Sequence, residues 1–222
     1  MNRASPTHHP VAALLHAAAG GHLSPAVSRI VHAHAKLCPR CAHAMADAEA
    51  VGGAAMEVEG GASMSADALE RALATIAADQ AEPVLQLPEP LAALPHEIVE
   101  FVVPTAGKAA WRFAGPGLRT MDLALPESAA GETFQVLRIE PGYGPPSHTH
   151  GGQEFTLVLT GAFKDETGLY KRGDIAIGDE TVTHQPIAEP GEVCFALAVT
   201  TAPLKFKGPL GILQRVLNLG RQ

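Results

Sequence analysis

Apolar residues in the first third of the chain recur at helical spacing. Val27, Ile30, Val31 and Leu37 make an approximately helical stripe, and Leu69, Leu73 and Ile76 fall on one face of another. Ala and Leu abound here and β-branched residues are few, which favours helix. Pro10 opens a helix that runs through Leu14 and Leu15 until Gly20-Gly21 stops it. Ser24-Pro25 is a second start, an N-cap followed by proline at the first helical position. Pro39 interrupts the stripe and opens a third helix. The Gly-, Ala- and Ser-rich stretch from Gly52 to Ser65 reads as a loop, and a fourth helix follows over about 66–79. Residues 1–80 are therefore predicted to form a small helical bundle of about four helices. Its core is thin, and a metal staple would help it fold.

The pattern then changes. Residues 81–95 carry Pro83, Pro88, Pro90 and Pro95 and read as a stiff, extended linker. From 96 to 208 the apolar residues come in short runs, such as Phe134-Gln-Val-Leu-Arg-Ile, Phe155-Thr-Leu-Val-Leu and Val193-Cys-Phe-Ala-Leu-Ala-Val. Turn residues at Pro141-Gly142, Gly151-Gly152, Gly173-Asp174 and Pro190-Gly191 separate them. Many short strands punctuated in this way predict an antiparallel β-barrel or jelly roll. The tail over 209–222 has Leu210, Leu213 and Leu217 at the spacing of a last short helix. The chain thus reads as multidomain, α followed by β, without internal repeats.

Composition narrows the function. The 222 residues are 46% hydrophobic and carry a formal charge of −7, with no Lys/Arg-rich block. Direct nucleic-acid binding needs clustered cations to neutralise phosphate, and is excluded on that ground. No apolar run reaches membrane-spanning length, and the start Met-Asn-Arg-Ala-Ser-Pro lacks the apolar core of a signal peptide, so a soluble cytoplasmic protein is expected. Three cysteines, two adjacent and one distant, do not make a secreted disulfide framework.

Histidines and cysteines mark two sites. The first is His34-Ala-Lys-Leu-Cys38-Pro-Arg-Cys41. His34 and Cys38 are four apart, on one helix face, and Cys41 follows the proline restart. A helix end meeting a helix start gathers three donors suited to tetrahedral zinc, which needs a fourth ligand for a closed structural site. His9, directly before the first helix, is the leading candidate; His8, His16, His32 and His43 compete with it. A thiol–disulfide motif would require a βαβ context that is absent, and two plain buried cysteines are the remaining alternative.

The second constellation lies in the β-rich half. His148 and His150 in His148-Thr-His150 face one side of a strand, Glu154 keeps their parity across a Gly151-Gly152 turn, and His184 precedes Gln185-Pro186. Three histidines and a carboxylate inside a barrel suit a transition metal. The competing reading is four unrelated surface polar residues. His96 is left over and reads as a surface or linker residue.

Together the two motifs resemble a known family. Gly142, His148-Thr-His150, Glu154 and Gly161, followed by Gly173-Asp174 and His184, are similar to the two signature motifs of the cupin superfamily. His34-x3-Cys38-x2-Cys41 behind an N-terminal histidine resembles the zinc anti-sigma domain. In this order they resemble the ChrR-type anti-sigma factors, and the likeness extends to His8-His9, Ala18-Ala19-Gly20, Val51-Gly52-Gly53 and Glu154 through Thr167.

The resemblance implies zinc on His9, His34, Cys38 and Cys41, and a second metal, zinc or another transition metal, on His148, His150, Glu154 and His184. It implies an extracytoplasmic-function sigma factor as partner, occluded by the helical domain and released through the cupin domain under singlet oxygen or organic hydroperoxide stress. Pro10 directly after His9 departs from the pattern. Cys194 reads as a buried, inert thiol. Leu14, Leu15, Val27, Val31 and the Leu69/Leu73/Ile76 face are candidates for the partner surface, or alternatively for the core of the four helices, and both readings apply in part. The rival reading is a cupin metal-dependent dioxygenase with an accessory helical domain; a third is a metal or redox sensor with no sigma partner.

Overall fold

The computed structural model describes residues 5–58, 61–78, 99, 110–123, 125 and 131–207. The linker expected over 81–95 and the tail over 209–222 lie outside the described residues. Four helices come first: α1 (Ala12–Ala19), α2 (Pro25–Leu37), α3 (Pro39–Val58) and α4 (Ala68–Ala78). Ser24 caps α2, its hydroxyl accepting from the Val27 N–H at 3.4 Å and donating to Glu132 of the β-rich half at 2.5 Å. The helix ends where Cys38 turns extended, with φ −125° and ψ 99°, as Pro39 disfavours a helical residue before it. The expected loop from Gly52 is corrected in part: α3 continues through Gly52 and Gly53 to Val58. Each glycine costs about 1 kcal/mol relative to alanine but forbids nothing, and Ala54, Ala55 and Met56 carry the helix on.

Twelve strands follow: β1 (Arg112–Gly115), β2 (Leu118–Asp122), β3 (Thr133–Ile139), β4 (His148–His150), β5 (Glu154–Thr160), β6 (Ala162–Lys164), β7 (Leu169–Lys171), β8 (Ile175–Gly178), β9 (Thr183–His184), β10 (Ile187–Ala188), β11 (Cys194–Thr200) and β12 (Leu204–Phe206). They form three antiparallel sheets, in the orders β1-β2-β3-β11-β5-β8, β10-β6-β7 and β12-β4-β9. The expectation of a closed barrel is corrected here. Among the described residues the ladders do not join into one ring, because most strands of the two small sheets are only two or three residues long and the chain changes sheet at tight glycine turns such as Gly151-Gly152.

Strand parity sets what faces what. Phe155, Leu157 and Leu159 of β5, Leu197 and Val199 of β11, and Phe134 and Val136 of β3 share one buried cluster with Leu15, Val27, Ile30, Val31 and Met45 of the helices. Residues of opposite parity, Val158, Cys194 and Ile139, pack with Phe163, Tyr170 and Ala188 of the β10-β6-β7 sheet. The molecule is therefore a helical layer on a six-stranded sheet, with the small sheets on its other face. Val27, Ile30 and Val31 are almost fully buried. At about 1.5–3 kcal/mol each they contribute at most roughly 4–9 kcal/mol to holding α2 in place. Helix α2 is seated on the sheet, with Leu15 of α1 and Met45 of α3 in the same core.

Candidate metal centres

The helix break at Cys38 builds the first cluster. His34 points from the last turn of α2, Cys38 caps it, and Cys41 lies in the first turn of α3. The chain before α1 folds back to add His9. Donor atoms of these four residues lie within 4.8 Å of one another. His34 Nε2 is 3.3 Å from Cys41 Sγ, and His9 Nδ1 is 3.4 Å from Cys38 Sγ and 3.6 Å from Cys41 Sγ. Bonds of about 2.0–2.3 Å to a tetrahedral zinc give ligand–ligand edges of roughly 3.3–3.8 Å, so this donor set fits such an ion. Burial pushes the His34 ring down to about 4 and lowers His9, with Arg40 adding to the effect on His9. Both rings are thus held neutral, the form that ligates. Burial and the neighbouring Cys38 push the Cys41 thiol up to about 12, a cost that a bound cation removes by displacing the proton.

Competing histidines fall elsewhere. His8 packs at a tilt against Tyr170, with ring centroids 4.4 Å apart, and faces Asp174. His32 bonds to the Ser28 carbonyl of its own helix, and His16 and His43 are exposed.

Sheet register builds the second cluster. His148 of β4 pairs directly with His184 of β9, and His150 follows two residues along the same face. Glu154 opens β5 after the Gly151-Gly152 turn. His148 Nε2 lies 3.1 Å from His184 Nε2, and Glu154 Oε2 lies 3.2 Å from His150 Nε2 and 3.4 Å from His184 Nε2. Each imidazole is steered from behind. With the proton assigned to Nδ1, His148 donates to the Pro146 carbonyl at 2.8 Å, His150 to the Asp179 carbonyl at 2.8 Å and His184 to the Asp165 carboxylate at 2.7 Å. This leaves all three Nε2 atoms converging, the outer-shell arrangement that orients metal-ligating histidines. Glu154 is mostly buried, a placement that would raise its carboxyl, but when the rings also carry a proton on Nε2, bonds from the three histidines hold it well below the usual range.

The donors thus fit a transition metal bound by three imidazoles and a carboxylate. A cavity of about 170 Å³ adjoins the cluster, with His148, Glu154 and His184 on its polar wall and Leu137, Ile139 and Phe163 on its apolar one. Cys194 takes part in neither cluster; it is fully buried and burial pushes its thiol up to about 12.

All eight residues singled out by spacing are brought together, four and four. Their outer partners were not identified by spacing. Asp165 is far from His184 in sequence, and Gly173 and Asp174 were noted only as a turn and part of a family motif. Both edges of β8 touch a cluster. The Gly173 carbonyl just before the strand accepts from His34 Nδ1 at 2.8 Å, and the Asp179 carbonyl just after it accepts from His150 Nδ1. Gly178, at the end of β8, leaves room for that ring: a Cβ there would lie 2.8 Å from His150 Cε1.

A four-donor cysteine–histidine cluster in a helical layer is thus packed on a β domain that carries its own histidine–carboxylate cluster, the two-site arrangement suggested by the sequence motifs. Comparison with known proteins makes the class specific. The ChrR cupin-like domain matches residues 99–204. The chain is 38% identical over 204 residues to the anti-sigma-E factor ChrR of Cereibacter sphaeroides, covering 90% of this chain and 92% of that protein. It is also similar to a crystal structure of Rhodobacter sphaeroides SigE in complex with the anti-sigma ChrR, with a TM-score of 0.68, 36% identity, and coverage of 88% of this chain and 99% of that one. The chain belongs to the ChrR family of anti-sigma factors. That membership places it among regulators and sets the dioxygenase reading aside. Among the described residues no helix is long and apolar enough to cross a membrane.

Proposed function

We propose that this protein is a cytoplasmic anti-sigma factor that sequesters an extracytoplasmic-function sigma factor through its helical part, residues 1–80, and releases it when the cupin-like part, residues 96–208, meets oxidative stress. The observation that carries the binding half is α4. Leu69, Leu73 and Ile76 lie on one side of this helix, exposed to 70%, 56% and 70%, and none of its residues is buried. An isolated helix of this length is marginal in water, and an apolar stripe left open on it calls for a partner. The relatives named above bear on the partner's identity: one is an anti-sigma-E factor and the other was captured with SigE.

His9, His34, Cys38 and Cys41 would hold zinc, and His148, His150, Glu154 and His184 zinc or another transition metal. In the helical part the metal supplies cross-linking of α2, α3 and the segment before α1, so that binding it is also folding free energy. In the cupin-like part His148 and His184 line a cavity, and an imidazole oxidised there no longer offers its lone pair. The protein's own contribution is to keep those rings aimed, with His148 and His184 on the cavity wall. The test is copurification with the sigma factor together with metal analysis. The wild type should carry about two metal ions per chain and bring the sigma factor with it. Cys38→Ser with Cys41→Ser should lose one ion and the partner. Retention of both ions in that double variant would sink the assignment.

A further inference from the structure

The fourth donor of the helical cluster, His9, belongs to no helix. It sits in the segment before α1, and the hydrogen bonds that fix this segment come from the β-rich half. The Thr7 N–H donates to Asp174 Oδ1 at 2.6 Å and the His8 N–H to the same oxygen at 2.9 Å. On the other side the Ile175 N–H donates to the His8 carbonyl at 3.3 Å. The His8 ring packs at a tilt against Tyr170 of β7. Next to Asp174, the Gly173 carbonyl accepts from His34 Nδ1 and leaves Nε2 for the cluster. Gly173 has φ +88°, and a Cβ there would lie 2.7 Å from Pro6 Cγ, so the turn needs glycine both for its backbone and for the close approach of residue 6.

We propose that Asp174 and the Gly173 carbonyl, in the turn between β7 and β8, are positioning residues for the metal site of the helical domain, delivering His9 and fixing the tautomer of His34. Two of the four ligands are then oriented by the cupin-like domain, and the integrity of this turn sets how tightly the helical site holds its metal. Asp174 is 2% exposed, and its other oxygen accepts from the Lys171 N–H at 2.8 Å, which braces the turn itself. Bracing alone is the alternative role, and the experiment must separate the two.

The inference rests on the proposed metal in the helical cluster. Cobalt(II) is therefore used as probe in the full-length protein, because thiolate-to-cobalt charge-transfer absorption reports only the cysteine-bearing cluster. Affinity is read by competition with a chelator. Asp174→Asn keeps the shape but offers one acceptor oxygen where the three backbone donors use two. Thr7→Pro removes a donor from the N-terminal segment and leaves the turn between β7 and β8 untouched. Both variants should bind cobalt at the thiolate site about 10- to 100-fold more weakly than wild type, with metal at the His148 cluster retained. Affinities within threefold of wild type in both, or weakening in Asp174→Asn alone, overturn the inference, the latter leaving Asp174 as a brace of its own turn. Absence of the thiolate absorption in wild type itself would instead show that the helical cluster is not a metal site. Should Asp174→Asn fail to fold, Thr7→Pro decides.

Discussion

His184 sits between two carboxylates, Asp165 behind it and Glu154 in front, and this sets its charge. Burial opposes protonation, but the bonds to Asp165 and Glu154 outweigh it and push the ring up to about 9. Burial would raise Asp165, yet its bonds from His184 and Thr167 bring it down to about 2. In an unfolded chain the ring titrates near 6.5. Without metal, the stabilisation from this pair is therefore fully present between about 3.8 and 6.5, fades as pH rises through about 9, and is lost again as pH falls toward about 2. A metal requires the neutral ring, so it competes with that proton and should stabilise the fold most at the alkaline end. We expect the melting temperature of the chelator-treated protein to fall between pH 6.5 and 9, and Asp165→Asn to flatten that fall. Equal slopes for the two proteins would refute the pairing. His148, His150 and His184 were legible in the sequence because two of them share a strand and the third is one of few histidines in this half. Asp165 and Gly178 were not, because their roles depend on contacts that only the register of β4, β8 and β9 creates.

At the scale of elements, the helical period was read correctly but could not say what each stripe meets. Val27 and Val31, candidates for either the partner surface or the core, are buried in one cluster with residues of β5 and β11, while Leu69, Leu73 and Ile76 stay exposed. One signal did point to this. Val193-Cys-Phe-Ala-Leu-Ala-Val is continuously apolar, and a strand of that kind has both faces covered. One face of β11 meets the small sheets and a cavity, so the other needed a cover, and α2 supplies it. The closed barrel was over-read for a related reason: strand patterns specify faces, and sheet closure depends on hydrogen-bond ladders that periodicity does not encode. The division of labour among the helices leads to a direct expectation for α4. Leu73→Asp should leave thermal stability and metal content unchanged, since the residue is exposed, and weaken sigma binding by about 2 kcal/mol or more, roughly 30-fold. Melting temperature and metal analysis measure the first arm and isothermal titration with the purified sigma factor the second, and unchanged affinity would remove α4 from the interface.

On the scale of the whole molecule, the question is how an event at one cluster reaches the other. Two domains on a bare linker would need proteolysis or a transient encounter, but here the helical layer is packed on the six-stranded sheet and shares its core. Strand β8 runs from the turn that touches His34 to the carbonyl that steers His150, so one short, hydrogen-bonded element borders both clusters. A contact of that kind is a route for coupling and not a measurement of it. The measurement is a reporter driven by the partner sigma factor, with and without singlet oxygen or an organic hydroperoxide. Ala at His148, His150, Glu154 or His184 leaves α4 and the cysteine cluster in place, so repression without stress should persist and induction by stress should be lost. Cys38→Ser takes away a donor that ties α2 to α3, the layer that precedes α4, and should free the sigma factor whether or not stress is applied. The two classes of variant therefore fail in opposite directions if the cupin-like domain is the sensor and the helical domain the clamp. Constitutive reporter activity in the His148 or His184 variants, equal to that of Cys38→Ser, would instead make the second cluster a structural support for sigma binding, with sensing located elsewhere.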